Sequence, residues 1–187
     1  MEIVANFTAP GLEQKSAEKT IQLLDSRLVA LIDLVLTLKH VHWNVVGPNF
    51  IGVHEMLDPQ VDAVQEMVDE VAERIATLGG VPTGTPGAVV EKRGWSDYSL
   101  GKALVVEHLG ALDVVYTGVN KDHRRAIDEL ADCDPVSEDI LTGHLASLEQ
   151  FQWFVRAHLE SSSGELSTAH ADTEKSAARA ARSAGAS

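Results

Sequence analysis

Apolar residues recur every three or four positions through Ile21, Leu24, Leu28, Leu31, Val35 and Leu38. That interval repeats once per helical turn, so it draws one apolar stripe along a long amphipathic helix and does not fit the alternation of a strand. The spacing predicts a helix from about Ser16 to about Asn44. GPN at 47–49 breaks it, and Asn49 can cap the next helix. A second helix is predicted from Phe50 to about Leu78, with Pro59 inside it as a source of a bend or bulge. GG at 79–80 ends it.

The glycine- and proline-rich segment GGVPTGTPGAVVEKRGWSDYS is a long connection with room for a short helical turn. A third helix takes Leu104, Leu109, Leu112, Tyr116, Val119 and Ile127 on its apolar side. ADCDPVSED reads as a turn, with Pro135 at the break and Ser137 as candidate cap. A fourth helix takes Ile140, Leu141, Leu145, Leu148, Phe151, Phe154, Val155 and Leu159. Short links after the first and third helices make antiparallel hairpins, and the long link between the second and third allows a crossover. The expectation is an all-α, ferritin-like four-helix bundle over residues 16–160. An irregular N-terminal arm (1–15) precedes it and a mobile C-terminal tail (161–187) follows, where the chain turns to Ser, Ala and Gly.

Acidic residues outnumber basic ones, 28 to 15, for a net charge of -13. Such a surface repels phosphate backbones and favours cations. A single cysteine, Cys133, excludes an internal disulfide and fits a reducing compartment. With neither a secretory signal nor an apolar run of membrane-spanning length, the expectation is a soluble, cytoplasmic protein without membrane attachment.

Candidate ligands concentrate in HWNVVGPNFIGVHEMLDP, residues 42–59. On a helical wheel set at His54, Asp58 falls at about 40°, Asp69 at about 60° and Glu73 at about 100°, so all four share one stripe. Imidazole and carboxylate together suit iron or zinc. Asp58 and Asp69 are eleven residues apart, roughly 16 Å along a helix, too far for one ion to bridge. The two pairs are therefore separate sites, or halves of sites completed by something else. An antiparallel copy of the same helix would complete them, placing two identical sites in an isologous dimer. His42 can join His54 because the link between the first two helices is short. A di-iron site inside one bundle normally uses a Glu-x-x-His pair. None of the eight histidines has an acidic residue three positions before it, which argues against that arrangement and against a conventional ferritin or bacterioferritin.

At these residues the sequence resembles the Dps family, the starvation-induced DNA-binding mini-ferritins of bacteria, and its actinobacterial members in particular. The matching text is KHVHWNVVGPNFIGVHEMLDPQ, VDEVAERIATLGG and LEQFQWFVRAHLE, within residues 16–160. The resemblance implies a hollow homododecameric shell with ferroxidase sites between subunits. It implies that His42, His54 and Asp58 come from one chain and Asp69 and Glu73 from its partner. It implies oxidation of Fe(II) by hydrogen peroxide and storage of Fe(III) mineral, with zinc as an alternative occupant or inhibitor. Trp43 would shield the site or take up oxidising equivalents; the plainer reading is core packing. Asp128, Asp132 and Asp134 are candidates for an acidic pore, or simply an exposed acidic turn. DNA binding would fall to Lys175, Arg179 and Arg182 of the tail, and the protein would then be nucleoid-associated. The competing reading of that tail is a disordered solubilising segment. The competing function is a nucleoid-compacting protein with a vestigial iron site.

Overall fold

The computed structural model describes residues 9–185. In chain order it contains α1 (Gln14–Asn44), β1 (Val45–Val46), α2 (Phe50–Thr77), α3 (Pro86–Lys92), β2 (Ala103–Leu104), α4 (Val105–Leu130), α5 (Pro135–Ala157) and α6 (Glu174–Ala184). The four long helices lie where the apolar periodicity puts them, and α1 starts two residues earlier than Ser16. Residues 1–8 of the expected N-terminal arm lie outside the described residues. No helix among those described is long and apolar enough to cross a membrane.

The chain divides into two compact units, and each long helix contributes a segment to both. One holds Met1–Val35, Asp62–Trp95 and Lys121–Ala146; the other holds Leu36–Val61, Ser96–Asn120 and Ser147–Ser187. In the first, Ile21, Leu24, Leu28 and Leu31 of α1 are buried with Val71 and Ile75 of α2 and Leu141 of α5. Asp25 accepts from Thr83 at 2.9 Å and from Lys92 at 2.5 Å, which fastens the long connection onto α1. Arg93 and Trp95 both donate to Asp33, at 3.0 and 2.8 Å.

In the second unit Leu38, Val41, Leu57, Leu109 and Leu112 form the core. The end of the connection pairs with the residues after α1, Val45 against Ala103 and Val46 against Leu104, in parallel register. A deeper polar knot also sits here. Buried Asp113 accepts from Gln152 at 2.8 Å, Arg156 at 2.7 Å and Thr168 at 2.8 Å. Removing any of these donors would leave part of a carboxylate unpaired away from water.

Helix ends follow local chemistry. After α2, the Gly80 N–H donates to Ile75 O and the Gly79 N–H to Ala76 O, both at 2.9 Å, with Gly79 at φ 83°. This is the Schellman closure that glycine favours. Asn49 precedes α2, but in left-handed backbone (φ 63°), so it acts through its carbonyl, which accepts from the Val53 N–H at 3.4 Å. Pro59 is accommodated inside α2, which continues to Thr77. Ahead of α5 the cap is Asp134, whose carbonyl accepts from the Glu138 N–H; Ser137 instead donates its hydroxyl to the Asp134 carboxylate.

The expected unstructured tail is corrected at its far end. Thr173 and Ser176 form a capping box, and α6 buries Ala177, Ala178 and Ala181. The helix approaches α4 so closely that a Cβ on Gly110 would stand 2.7 Å from Ala177 O. A search for large apolar residues misses this docking, because it rests on alanine against glycine. Glu174 accepts from the Ser99 N–H at 2.6 Å, and Arg182 pairs with Glu107 at 3.1 Å.

Candidate metal centre

The last turn of α1 carries His42 and the second turn of α2 carries His54. Gly47 (φ 99°) and Asn49 (φ 63°), both left-handed, turn the chain between them. A Cβ on Gly47 would lie 2.9 Å from Leu104 Cδ2, so only glycine suits both the backbone and the space.

The two imidazoles stack, with ring centroids 3.6 Å apart and planes 25° off parallel. Each donates from Nδ1 to the other's backbone carbonyl, at 3.0 Å in both directions. A carbonyl only accepts, so Nδ1 of each ring must carry the proton. When neutral, each ring is thereby held in one tautomer with Nε2 as the lone-pair nitrogen, the state a metal-binding histidine needs. Asp58 lies on the next turn of α2, its Oδ1 3.3 Å from His42 Nδ1 and 2.9 Å from Lys39 Nζ. The hydrogen bond from Lys39 holds the Asp58 carboxyl below the usual carboxylate range, with help from the nearby charges of His42, Lys39 and His54. Its Oδ2 is engaged by no described residue.

Three of the predicted site residues are thus brought together by the short link, and Lys39 joins them. The sequence did carry a signal for Lys39, which lies three residues before His42 on the same face of α1. Asp69 and Glu73 lie farther along α2, eleven and fifteen residues beyond Asp58, on an unbroken helix. Both are exposed, and among the described residues no side chain engages either carboxylate. No group of three or more His, Cys, Asp and Glu among the described residues is arranged to hold a metal ion.

Trp43 does not fill the core of the chain: it is 73 % exposed, with Leu36, Phe50 and Ile51 as further exposed apolar residues of α1 and α2. Of the pore candidates, Asp128 and Asp132 are exposed. Asp134 differs from them: it is buried and paired with Arg74 at 2.7 Å. Burial alone would raise its carboxyl, but hydrogen bonds from Arg74 and Ser137 outweigh that and hold it low. A carboxylate so committed locks α5 to α2. In α6, Lys175, Arg179 and Arg182 are all exposed, and among the described residues Arg182 alone of the three is paired with an acid, Glu107.

The model of the ferritin-like domain matches residues 21–163. A DNA protection during starvation protein of Mycolicibacterium smegmatis is 58% identical over 179 residues, covering 96% of this chain and 98% of the relative. The solved Mycobacterium smegmatis Dps aligns with a TM-score of 0.89 at 58% identity, over 90% of this chain and 97% of that one. DpsA14 from Streptomyces coelicolor aligns with a TM-score of 0.87 at 61% identity, over 89% and 99%. A helical chain with these matches along nearly its whole length belongs to the Dps family, on the ferritin-like fold.

Proposed function

We propose that this chain is a ferroxidase and iron-storing mini-ferritin. It would oxidise Fe(II) with hydrogen peroxide at sites shared between two subunits and hold the Fe(III) mineral inside a homododecameric shell. The observation that carries this reading is the preorganised His42–His54–Asp58 half-site, with its free Nε2 atoms and ionised carboxylate. Asp69 and Glu73 on the same stripe of α2 supply a matching half from a partner. The imidazoles retain Fe(II), and the carboxylates favour the harder Fe(III) product. Each of two Fe(II) ions gives one electron to one peroxide, whose O–O bond breaks to two hydroxides, so no hydroxyl radical is released. Lys39 holds Asp58 ionised until a cation replaces it. Zinc, which accepts the same ligands, would compete for the site.

Removal of Fe(II) and peroxide together protects DNA chemically, in keeping with the names of the relatives. Exposed Lys175 and Arg179 on α6 favour direct DNA binding as well. One such helix is weak, but twelve on one shell act together. The protein would then be cytoplasmic and nucleoid-associated. The test is stopped-flow oxidation of Fe(II) by peroxide, with particle mass measured on the same sample. A dodecamer consuming two Fe(II) per peroxide is expected. An assembled protein no faster than free iron would sink the reading in favour of nucleoid compaction, which a low-salt gel shift would then have to show.

A further inference from the structure

α6 meets the rest of its unit differently at its two ends. Its start is fixed by the capping box of Thr173 and Ser176 and by Glu174, which accepts from the Ser99 N–H at 2.6 Å. Its middle lies directly on α4: a Cβ at Gly110 would stand 2.7 Å from Ala177 O and 3.0 Å from the Ala181 Cβ. The last turn is packed less closely. Ala181, Ala184 and Gly185 form one wall of a cavity of about 340 Å³, with Val106, Leu159 and Leu166 among its other walls. The polar tie across that turn is Arg182, whose Nη1 lies 3.1 Å from Glu107 Oε1.

Glu107 is itself held in place. It sits in the first turn of α4, half-buried, and its other oxygen, Oε2, accepts from the Leu104 N–H at 2.9 Å. A carboxylate fixed by the backbone at the start of α4 thus faces a guanidinium carried by α6. Arg182 belongs to a basic stripe. Measured from Lys175, Arg179 falls at about 40° and Arg182 at about 340° on the helical wheel, so the three share a sector about 60° wide. The buried Ala177, Ala178 and Ala181 fall between about 200° and 300°, on a separate face. Lys175 and Arg179 are exposed with no acid paired to either among the described residues, whereas Arg182 is matched by Glu107. A guanidinium donates to a carboxylate or to a phosphate through the same N–H groups, so the two anions compete for one fork.

We infer that Glu107 makes an autoinhibitory contact: it occupies Arg182 in the free protein as a phosphate would, and the phosphodiester backbone of DNA must displace it before α6 presents its whole basic stripe. The inference rests on the proposed binding of DNA by α6 and adds the control of that binding. The exchange leaves α6 docked, because Glu174 and Ala177 anchor it more than one turn before Arg182. The cavity beside the last turn leaves that end room to adjust as Arg182 changes partner. Glu107 keeps its hydrogen bond from Leu104 throughout, so the competing carboxylate stays in position and retakes Arg182 when DNA leaves.

The test is a salt series of duplex-DNA binding by the assembled full-length protein, read by fluorescence anisotropy. Glu107→Gln removes the competing charge. It should tighten binding about threefold per engaged helix, the scale of an exposed ion pair, and steepen the salt dependence by about one ion per engaged helix. Glu107→Asp keeps the net charge but draws the carboxylate back from Arg182, and binding should again tighten. Neither substitution should gain anything when Arg182→Ala is also present. A gain that persists beside Arg182→Ala, or one seen with Glu107→Gln and absent with Glu107→Asp, belongs to bulk charge and overturns the inference. Unchanged affinity in Glu107→Gln, with binding still weakened by Lys175→Ala and Arg179→Ala together, also overturns it and leaves DNA binding by α6 standing. A wild-type shell that leaves DNA unbound, or whose affinity that double substitution does not move, removes both.

Discussion

The two stretches of α2 hold the same kind of residue in opposite states. Near its start, His54 and Asp58 are tied into stacked rings, reciprocal hydrogen bonds and a lysine contact. Near its end, Asp69 and Glu73 stand exposed and unengaged among the described residues. A functional constellation is usually held by its own neighbours. One finished half and one open half on a single helix are the contrast on which the proposed completion by a partner chain rests.

The largest effect should come from breaking each half. His42→Ala with Asp58→Ala, and separately Asp69→Ala with Glu73→Ala, should each abolish the fast oxidation phase, a loss beyond the ~10–100-fold typical of supporting residues. Co-assembling the two dead variants is the sharper experiment. In a mixed dimer one site carries both lesions and the other carries none, so about a quarter of the sites should recover under random pairing. Two inactive variants that stay inactive when mixed would show that the halves do not meet across a dimer.

A second contrast lies within the open stretch. Arg74 follows Glu73 directly, yet it is committed to buried Asp134. Arg74→Ala should cost about 3 kcal/mol of stability, because it strands a buried carboxylate. Asp69→Ala should leave the melting temperature nearly unchanged, as exposed substitutions do. Linkage adds a pH signature. The folded Asp134 carboxyl is held below its unfolded value, so the pair's contribution is present above about pH 4 and fades as pH falls through the folded value. Thermal melts of Arg74→Ala should lose that part of the acid sensitivity.

The smallest effect concerns Lys39. Lys39→Met removes the main influence holding Asp58 low, so the carboxyl should rise toward its ordinary value. Because a cation needs the ionised form, the acid limb of the oxidation rate should move to higher pH, with the rate at neutral pH little changed. An unmoved acid limb would detach Lys39 from the site.

Much of the fold was legible in local pattern. The three-and-four spacing of Ile21 through Leu38 gave α1, GG at 79–80 gave the end of α2, and the short GPN link gave the approach of His42 to His54. Asn49 holds the capping position of α2, but in left-handed backbone, whereas Ser137 was misread because capping was inferred from residue type and buried Asp134 takes that role. α6 went unseen because alanines carry little hydrophobic signal and their docking depends on a glycine more than sixty residues away.

By itself, the sequence determined which residues could share a stripe, since a helix fixes angle and rise from residue number alone. It also determined that Asp58 and Asp69 could not hold one ion, since eleven residues of helix are longer than any coordination sphere. Only the tertiary structure decided which nitrogen of His42 and of His54 is free, that Lys39 rests on Asp58, that Asp134 is a buried anchor, and that Tyr98 ends on His108. Those facts depend on groups far apart in sequence meeting at hydrogen-bond distance, and no local period encodes such meetings.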